Sequence, residues 1–138
     1  MAEAKKKKVL VVDDEPSVRE LVRRILGKDC IILEAKDGGE AVDMARSHKV
    51  DLILMDMMMP KVDGLTACYI IKSDQATKNT PVVMLTAVSF DLNKKLSQDV
   101  MGAAGYITKP FTNKDLRSVV DRFLGSTEPA PSSSSKKG

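Results

Sequence analysis

The stretch "LVVDDEPSVRELV", residues 10–22, runs from an apolar segment into two neighbouring acids, Asp13 and Asp14, and then into residues of helical spacing. Two like charges closing an apolar segment raise a question of purpose. One answer is helix capping, because acids ahead of a helix offset its exposed amides and its dipole. The other is a cation site. The choice depends on what stands at equivalent places along the chain.

Five short apolar runs recur: "VLVV" at 9–12, "IIL" at 31–33, "LILM" at 52–55, "VVML" at 82–85 and the weaker "GYIT" at 105–108. The first four do not alternate with polar residues, which suits strands covered on both faces, as in a parallel sheet. Helical patterns lie between them. Val18, Leu21, Val22, Ile25 and Leu26 share one face, with Pro16 in the first turn and Gly27 as a stop. Ala41, Val42 and Ala45 mark a helix over 37–47, and Leu65, Cys68, Tyr69 and Lys72 mark another over 65–73. The stretch 90–101 offers only Leu92, Leu96 and Val100. Leu116, Val119, Val120, Phe123 and Leu124 form the last helix, opened by Thr112 and Asp115 in capping-box spacing. Five strands alternating with five helices predict a doubly wound α/β domain with a parallel sheet.

Composition agrees. A chain of 138 residues, 43% apolar and 30% charged, suits one soluble domain with a proper core. No apolar stretch approaches the ~20 residues that span a bilayer, and the N-terminus lacks the apolar segment of a signal peptide, so a cytoplasmic location without membrane insertion is expected. The net charge of +3 sits on the ends: residues 1–8 carry +3, the stretch from Gly125 carries +1, and residues 9–124 carry −1. No folded face therefore suits direct nucleic-acid binding, and Lys5 to Lys8 read as a solvated entry to the first strand. Residues 1–6 are expected to be a disordered basic N-terminus, 7–124 the ordered domain, and 125–138, "GSTEPAPSSSSKKG", a disordered tail or a linker cut short. Cys30 and Cys68 have no metal or redox spacing and read as reduced core thiols.

The C-terminal ends of the predicted strands form a set. The first ends at Asp13 and Asp14, the third at Asp56, the fourth at Thr86 and the fifth at Lys109. Open α/β sheets bind ligands outside these ends, where strand order reverses. Three acids, a hydroxyl and an ammonium then converge on one crevice.

With "VVDDE", "LILMDMMMPKVDG", "LTA" and "KPF" in that order, residues 7–124 resemble the receiver domain of two-component response regulators, in the single-domain form of chemotaxis regulators. The resemblance implies a flavodoxin-like five-stranded sheet of order 2-1-3-4-5 flanked by five helices. It implies that Asp56 accepts a phosphoryl group from a phosphohistidine of a sensor histidine kinase or a histidine phosphotransfer protein. It also implies Mg²⁺, held by Asp14, Asp56 and the Met58 backbone carbonyl, with Asp13 acting mainly through water. Lys109 then pairs with a phosphoryl oxygen, Thr86 donates a hydrogen bond to another, and the small Ala87 leaves room. Thr86 and Tyr106 form the switch, which alters the face built from the fourth helix, the fifth strand and the fifth helix, where a downstream protein binds. The Lys109–Pro110 peptide is expected to be cis. On this reading the acids hold a cation, because clustered carboxylates raise one another's proton affinity and a divalent ion removes that penalty.

Other residues receive plainer readings. Met57, Met58 and Met59 are adaptable packing rather than a metal motif. Gly64 is read as a turn residue needing positive φ. His48, at a helix end, is a surface residue. In the family that the chain resembles, polar residues two past the acceptor and two past the threonine can orient attacking water; Met58 and Val88 cannot, so the resemblance implies slow self-dephosphorylation.

The expected protein is thus a binding switch rather than a turnover enzyme, a monomer or a phosphorylation-dependent dimer. Two rivals fit less well. An aspartyl-nucleophile Mg²⁺ phosphatase needs a second acid two residues after a nucleophile on the first strand. A flavodoxin-like cofactor binder needs a phosphate-cradling loop where this chain has "DDEPS".

Overall fold

A computed structural model of the chain describes residues 6–59, 61–86 and 102–125. In chain order the elements are β1 (Lys7–Val12), α1 (Pro16–Leu26), β2 (Cys30–Ala35), α2 (Gly38–Ser47), β3 (Leu52–Asp56), α3 (Gly64–Ser73), β4 (Val82–Thr86), β5 (Gly105–Thr108) and α4 (Asn113–Leu124). The helix expected over 90–101, Ala87, Val88, the first five residues and the tail over 126–138 lie outside the described residues. The C-terminal helix is therefore the fourth described.

All five strands pair in parallel, in the order β2-β1-β3-β4-β5. The doubly wound sheet and its 2-1-3-4-5 order are thus those anticipated. The central strands are buried on both faces, which explains their unbroken apolar sequences. Leu10, Val12, Ile53, Met55, Val82 and Met84 pack on one side with Ala41, Ala67, Cys68 and Ile71 of α2 and α3. Val9, Val11, Leu52, Leu54, Val83 and Leu85 pack on the other with Val22 and Leu26 of α1 and Leu116 and Val120 of α4. Both cysteines are buried in these layers and neither forms a disulfide.

Three expectations need correction. β2 was read as covered on both faces, yet Ile31 is 43% exposed and Leu33 and Glu34 are half-buried. The strand lies at the sheet edge, where the flanking helices cover only part of it. The buried face of α3 is also rotated. The expected stripe was Leu65, Cys68, Tyr69 and Lys72, whereas the buried residues are Gly64, Ala67, Cys68 and Ile71, and Tyr69 points to solvent. The stripe is shifted by one position, about 100° around the axis.

Gly64 explains the rotation and is itself the third correction. Positive-φ glycines among the described residues are Gly102 and Gly125, so Gly64 is not a left-handed turn residue. It is the first residue of α3, and its amide donates to the Met57 carbonyl at 3.0 Å. A Cβ there would collide with the carbonyl oxygen of Asp56 and lie 2.9 Å from Met84 Cε. The helix starts with bare backbone against the end of β3, and that contact sets its phase.

Side-chain caps fix the starts of α2, α3 and α4. Asp37 accepts from Glu40 N, Asp63 from Thr66 N, and Thr112 and Asp115 complete the capping box of α4. His48 is exposed at the C-cap of α2, with its Nδ1 3.0 Å from Ser47 Oγ.

Urea unfolding of two glycine variants tests the contact between Gly64 and the end of β3. Gly64→Ala is expected to lose about 2 kcal/mol, as overpacking against backbone does. Gly39→Ala, whose added methyl has only Asp37 Oδ1 nearby at 3.4 Å, is expected to stay within roughly 0.5 kcal/mol of the parent or to gain stability. Equal stability of the two variants would contradict the proposed contact.

Candidate functional site

The parallel register brings four strand ends to one edge. Val12 pairs with Met55, Asp56 with Leu85, and Thr86 with Thr108. Past the last regular pairs, Met57 N donates to the Leu85 carbonyl at 2.9 Å and Lys109 N to the Thr86 carbonyl at 2.6 Å. Backbone hydrogen bonding thus carries residues 13, 56, 86 and 109 to one edge.

Their side chains make a charged cluster. Asp13, Asp14 and Asp56 each present a carboxylate oxygen within 4.8 Å of the others. Asp13 is fully buried, Asp56 nearly so, and Asp14 is exposed. Lys109 Nζ lies 2.8 Å from Asp13 Oδ2 and 3.5 Å from Asp56 Oδ1. Met58 N is 3.4 Å from the same Asp56 oxygen. Thr86 is buried at the end of β4.

Capping does not account for the acids. The N-cap of α1 is Glu15, and no side chain caps the helix. Asp13 instead folds back on the loop, its Oδ1 accepting from Glu15 N at 3.0 Å.

The electrostatics are those of a site short of positive charge. Burial, and then the Asp13 carboxylate, push the Asp56 carboxyl from an ordinary 3.8 up to about 6, against the opposing pull of Lys109. Burial alone would lower the Lys109 ammonium. Its hydrogen bond to Asp13 and the charges of Asp13 and Asp56 outweigh that and hold it above its ordinary range. One ammonium thus faces three acids, all with hard oxygen donors and one open to solvent. That donor set fits Mg²⁺, which takes one or two carboxylates and keeps several waters.

Of the remaining expected residues, Met58 is 74% exposed beside Asp56, while Met57 and Met59 are buried in the core. Tyr106 lies in β5, half-buried and packed against the α2–α3 side of the sheet. The Lys109–Pro110 peptide is cis. Sequence reasoning missed Arg19 and Glu34. Arg19 Nη1 donates to the Asp13 carbonyl at 2.6 Å, and its Nε donates to Glu34 Oε1 at 3.0 Å. The available signal was a lone acid in an apolar strand facing Arg19 and Arg23, which stand one helical turn apart.

With this geometry in view, likeness to known proteins becomes informative. The response regulator receiver domain model matches residues 9–121. The alkaline phosphatase synthesis transcriptional regulatory protein PhoP of Bacillus subtilis is 37% identical over 132 residues, which are 95% of this chain and 54% of that protein. Protein PilG of Pseudomonas aeruginosa is 33% identical over 88% of this chain and 90% of its own length. The chain therefore spans about half the length of several curated relatives and most of PilG. Among solved structures, chemotaxis protein CheY4 of Vibrio cholerae superposes with a TM-score of 0.82 at 31% identity, covering 87% of this chain and 100% of that one. The receiver domain of sensor histidine kinase PA1611 from Pseudomonas aeruginosa, solved with a magnesium ion coordinated in its active-site cleft, gives 0.80 at 27% identity over 88% of this chain and 100% of that one. The strand order, the acids at the ends of β1 and β3 and the lysine past β5 have the same explanation as these matches: the chain belongs to the response regulator receiver family.

Proposed function

We propose that this protein is a phosphorylation-controlled signalling switch in which Asp56 takes a phosphoryl group from a phosphohistidine of a sensor kinase or phosphotransfer protein in the cytoplasm. The observation that carries this reading is the junction of Asp13, Asp56 and Lys109 at the ends of separate strands. In the transfer, an Asp56 oxygen bonds to phosphorus as the phosphorus–nitrogen bond breaks, and the imidazole nitrogen keeps that electron pair. Met58 N and Lys109 Nζ both contact Oδ1, so Oδ2 is the oxygen assigned to the attack. Asp56 must be ionised to act, and at neutral pH it stands above its midpoint near 6.

Lys109 supplies a fixed positive charge to the arriving oxygens and Thr86 a hydroxyl donor, so the product acyl phosphate is held where it forms. Asp14, Asp56 and the Met58 carbonyl would hold Mg²⁺, with Asp13 acting through water. There the ion would supply positive charge to offset the acids and the phosphoryl oxygens. Thr86 and Tyr106, on neighbouring strands, are the proposed route from the site to a protein-binding face that includes β5 and α4. The exposed Met58 thioether cannot orient an attacking water, which supports a slow loss of the phosphoryl group.

The direct test is intact mass after incubation with acetyl phosphate and Mg²⁺. One phosphoryl group is expected on the parent and none on Asp56→Asn. Equal labelling of both would remove Asp56 from its role.

The raised Asp56 midpoint also predicts a pH dependence. Between the unfolded value of 3.8 and about 6, the folded state holds a proton that the unfolded chain has released. Ionised Asp56 therefore costs stability at neutral pH, roughly 2–3 kcal/mol, and the cost fades as pH falls toward 4. In metal-free buffer Asp56→Asn is expected to melt above the parent at neutral pH, with the gap closing toward pH 4. Millimolar Mg²⁺ is expected to raise the parent's melting temperature more than the variant's. A parent that melts higher than Asp56→Asn at neutral pH without metal, and ignores Mg²⁺, would contradict the electrostatic account.

A further inference from the structure

We propose that Arg19 is a positioning residue for the acidic site: its guanidinium pins the Asp13–Asp14 peptide through the Asp13 carbonyl and thereby sets the affinity of the cluster for Mg²⁺. The inference rests on the reading of that cluster as a Mg²⁺ site.

Every polar group of Asp13 is engaged, each by a different segment. Its amide donates to the Ala35 carbonyl of β2 at 3.1 Å. Its Oδ1 accepts from Glu15 N at 3.0 Å and its Oδ2 from Lys109 Nζ at 2.8 Å. Its carbonyl oxygen accepts from Arg19 Nη1 at 2.6 Å, the shortest of the four. That carbonyl belongs to the peptide joining Asp13 to Asp14. Because a peptide is planar, holding its oxygen fixes the plane and hence the base from which Asp14 projects. The Asp14 side chain is exposed, so the peptide behind it is the main constraint on its direction. Without Arg19 the carbonyl loses a charged donor and the plane is free to turn.

Arg19 is itself braced. Its side chain is only 18% exposed, and its Nε donates to Glu34 Oε1 at 3.0 Å. Arg23 Nε donates to the other oxygen of the same carboxylate at 2.8 Å, and its Nη2 donates to the Ile32 carbonyl at 3.2 Å. Burial pushes the Glu34 carboxyl up, but the two guanidinium hydrogen bonds bring it below the usual carboxylate range, so the brace persists at neutral pH. A forked guanidinium spans Asp13 and Glu34 at once, whereas a lysine ammonium serves as a single point charge. Arg23 shares Glu34 with Arg19 but binds Ile32 rather than the acid loop, which makes it the natural control.

Charge and positioning predict opposite signs. Removing a cation near the site would tighten Mg²⁺ binding through space, whereas freeing the Asp13–Asp14 peptide weakens it. Calorimetric titration with Mg²⁺ at neutral pH, with metal-free melts of the same samples, separates them. Arg19→Ala is expected to bind Mg²⁺ about tenfold more weakly, in line with losses at outer-shell partners of metal ligands. Arg23→Ala is expected to stay within about twofold of the parent while losing a comparable amount of melting temperature. Should Arg19→Ala fail to fold, Arg19→Lys replaces it, with several-fold weakening expected. Unchanged or tighter binding in the folded Arg19 variant, or an equal loss in Arg23→Ala, overturns the assignment. A parent that binds no Mg²⁺ overturns the functional reading itself, a result distinct from a parent that binds normally beside an unaffected Arg19 variant.

Discussion

The structure depends on a lysine lodged between two buried carboxylates. Lys109 Nζ contacts Asp13, just past β1, and Asp56, 43 positions later at the end of β3, from its own place just past β5. A buried carboxylate without a partner is costly, so losing the lysine, which would leave the acids uncompensated, is more damaging than omitting the whole group. The three strand ends are thus tied to one another by charge as well as by backbone. Parallel alignment makes this possible, since it puts every C-terminal strand end on the same edge.

The same cluster is under-compensated. One ammonium faces Asp13, Asp14 and Asp56, and burial, followed by the Asp13 charge, raises the midpoint of Asp56 despite it. A site with surplus negative charge is a poor stabiliser of the metal-free fold and a good host for a small divalent cation. On the proposed reading, the stability that the crowded acids cost the metal-free fold is recovered when a cation binds. The brace formed by Arg19, Glu34 and Arg23 lies one layer further out and connects the acid loop to the edge strand.

The sequence made the sheet legible where physics is local. The runs at 9–12, 52–55 and 82–85 are apolar throughout because both faces of β1, β3 and β4 are buried. The acids, the threonine and the lysine could be placed once those strands were seen to end at them. Tertiary features were harder. The edge position of β2 follows from strand order, so the half-exposed Ile31 and Leu33 were not distinguishable from core residues by type alone. The phase of α3 was misread by one position because it is set by a close approach between Gly64 and the Asp56 carbonyl, a contact between elements that periodicity does not encode. Arg19 and Glu34 escaped notice for the same reason: their partners are a backbone carbonyl in the loop after β1 and side chains on neighbouring elements. The helix over 90–101, Ala87 and Val88 fall outside the described residues.

The measurement that bears most directly on this account is a carbon-13 NMR titration of the Asp56 side-chain carboxyl in metal-free protein, repeated with Mg²⁺. A buried carboxylate beside Asp13 is predicted to titrate near 6 without metal, and Mg²⁺ is predicted to move that midpoint downward. A midpoint at the ordinary 3.8, unmoved by Mg²⁺, would mean that no charge-deficient pocket exists at the end of β3.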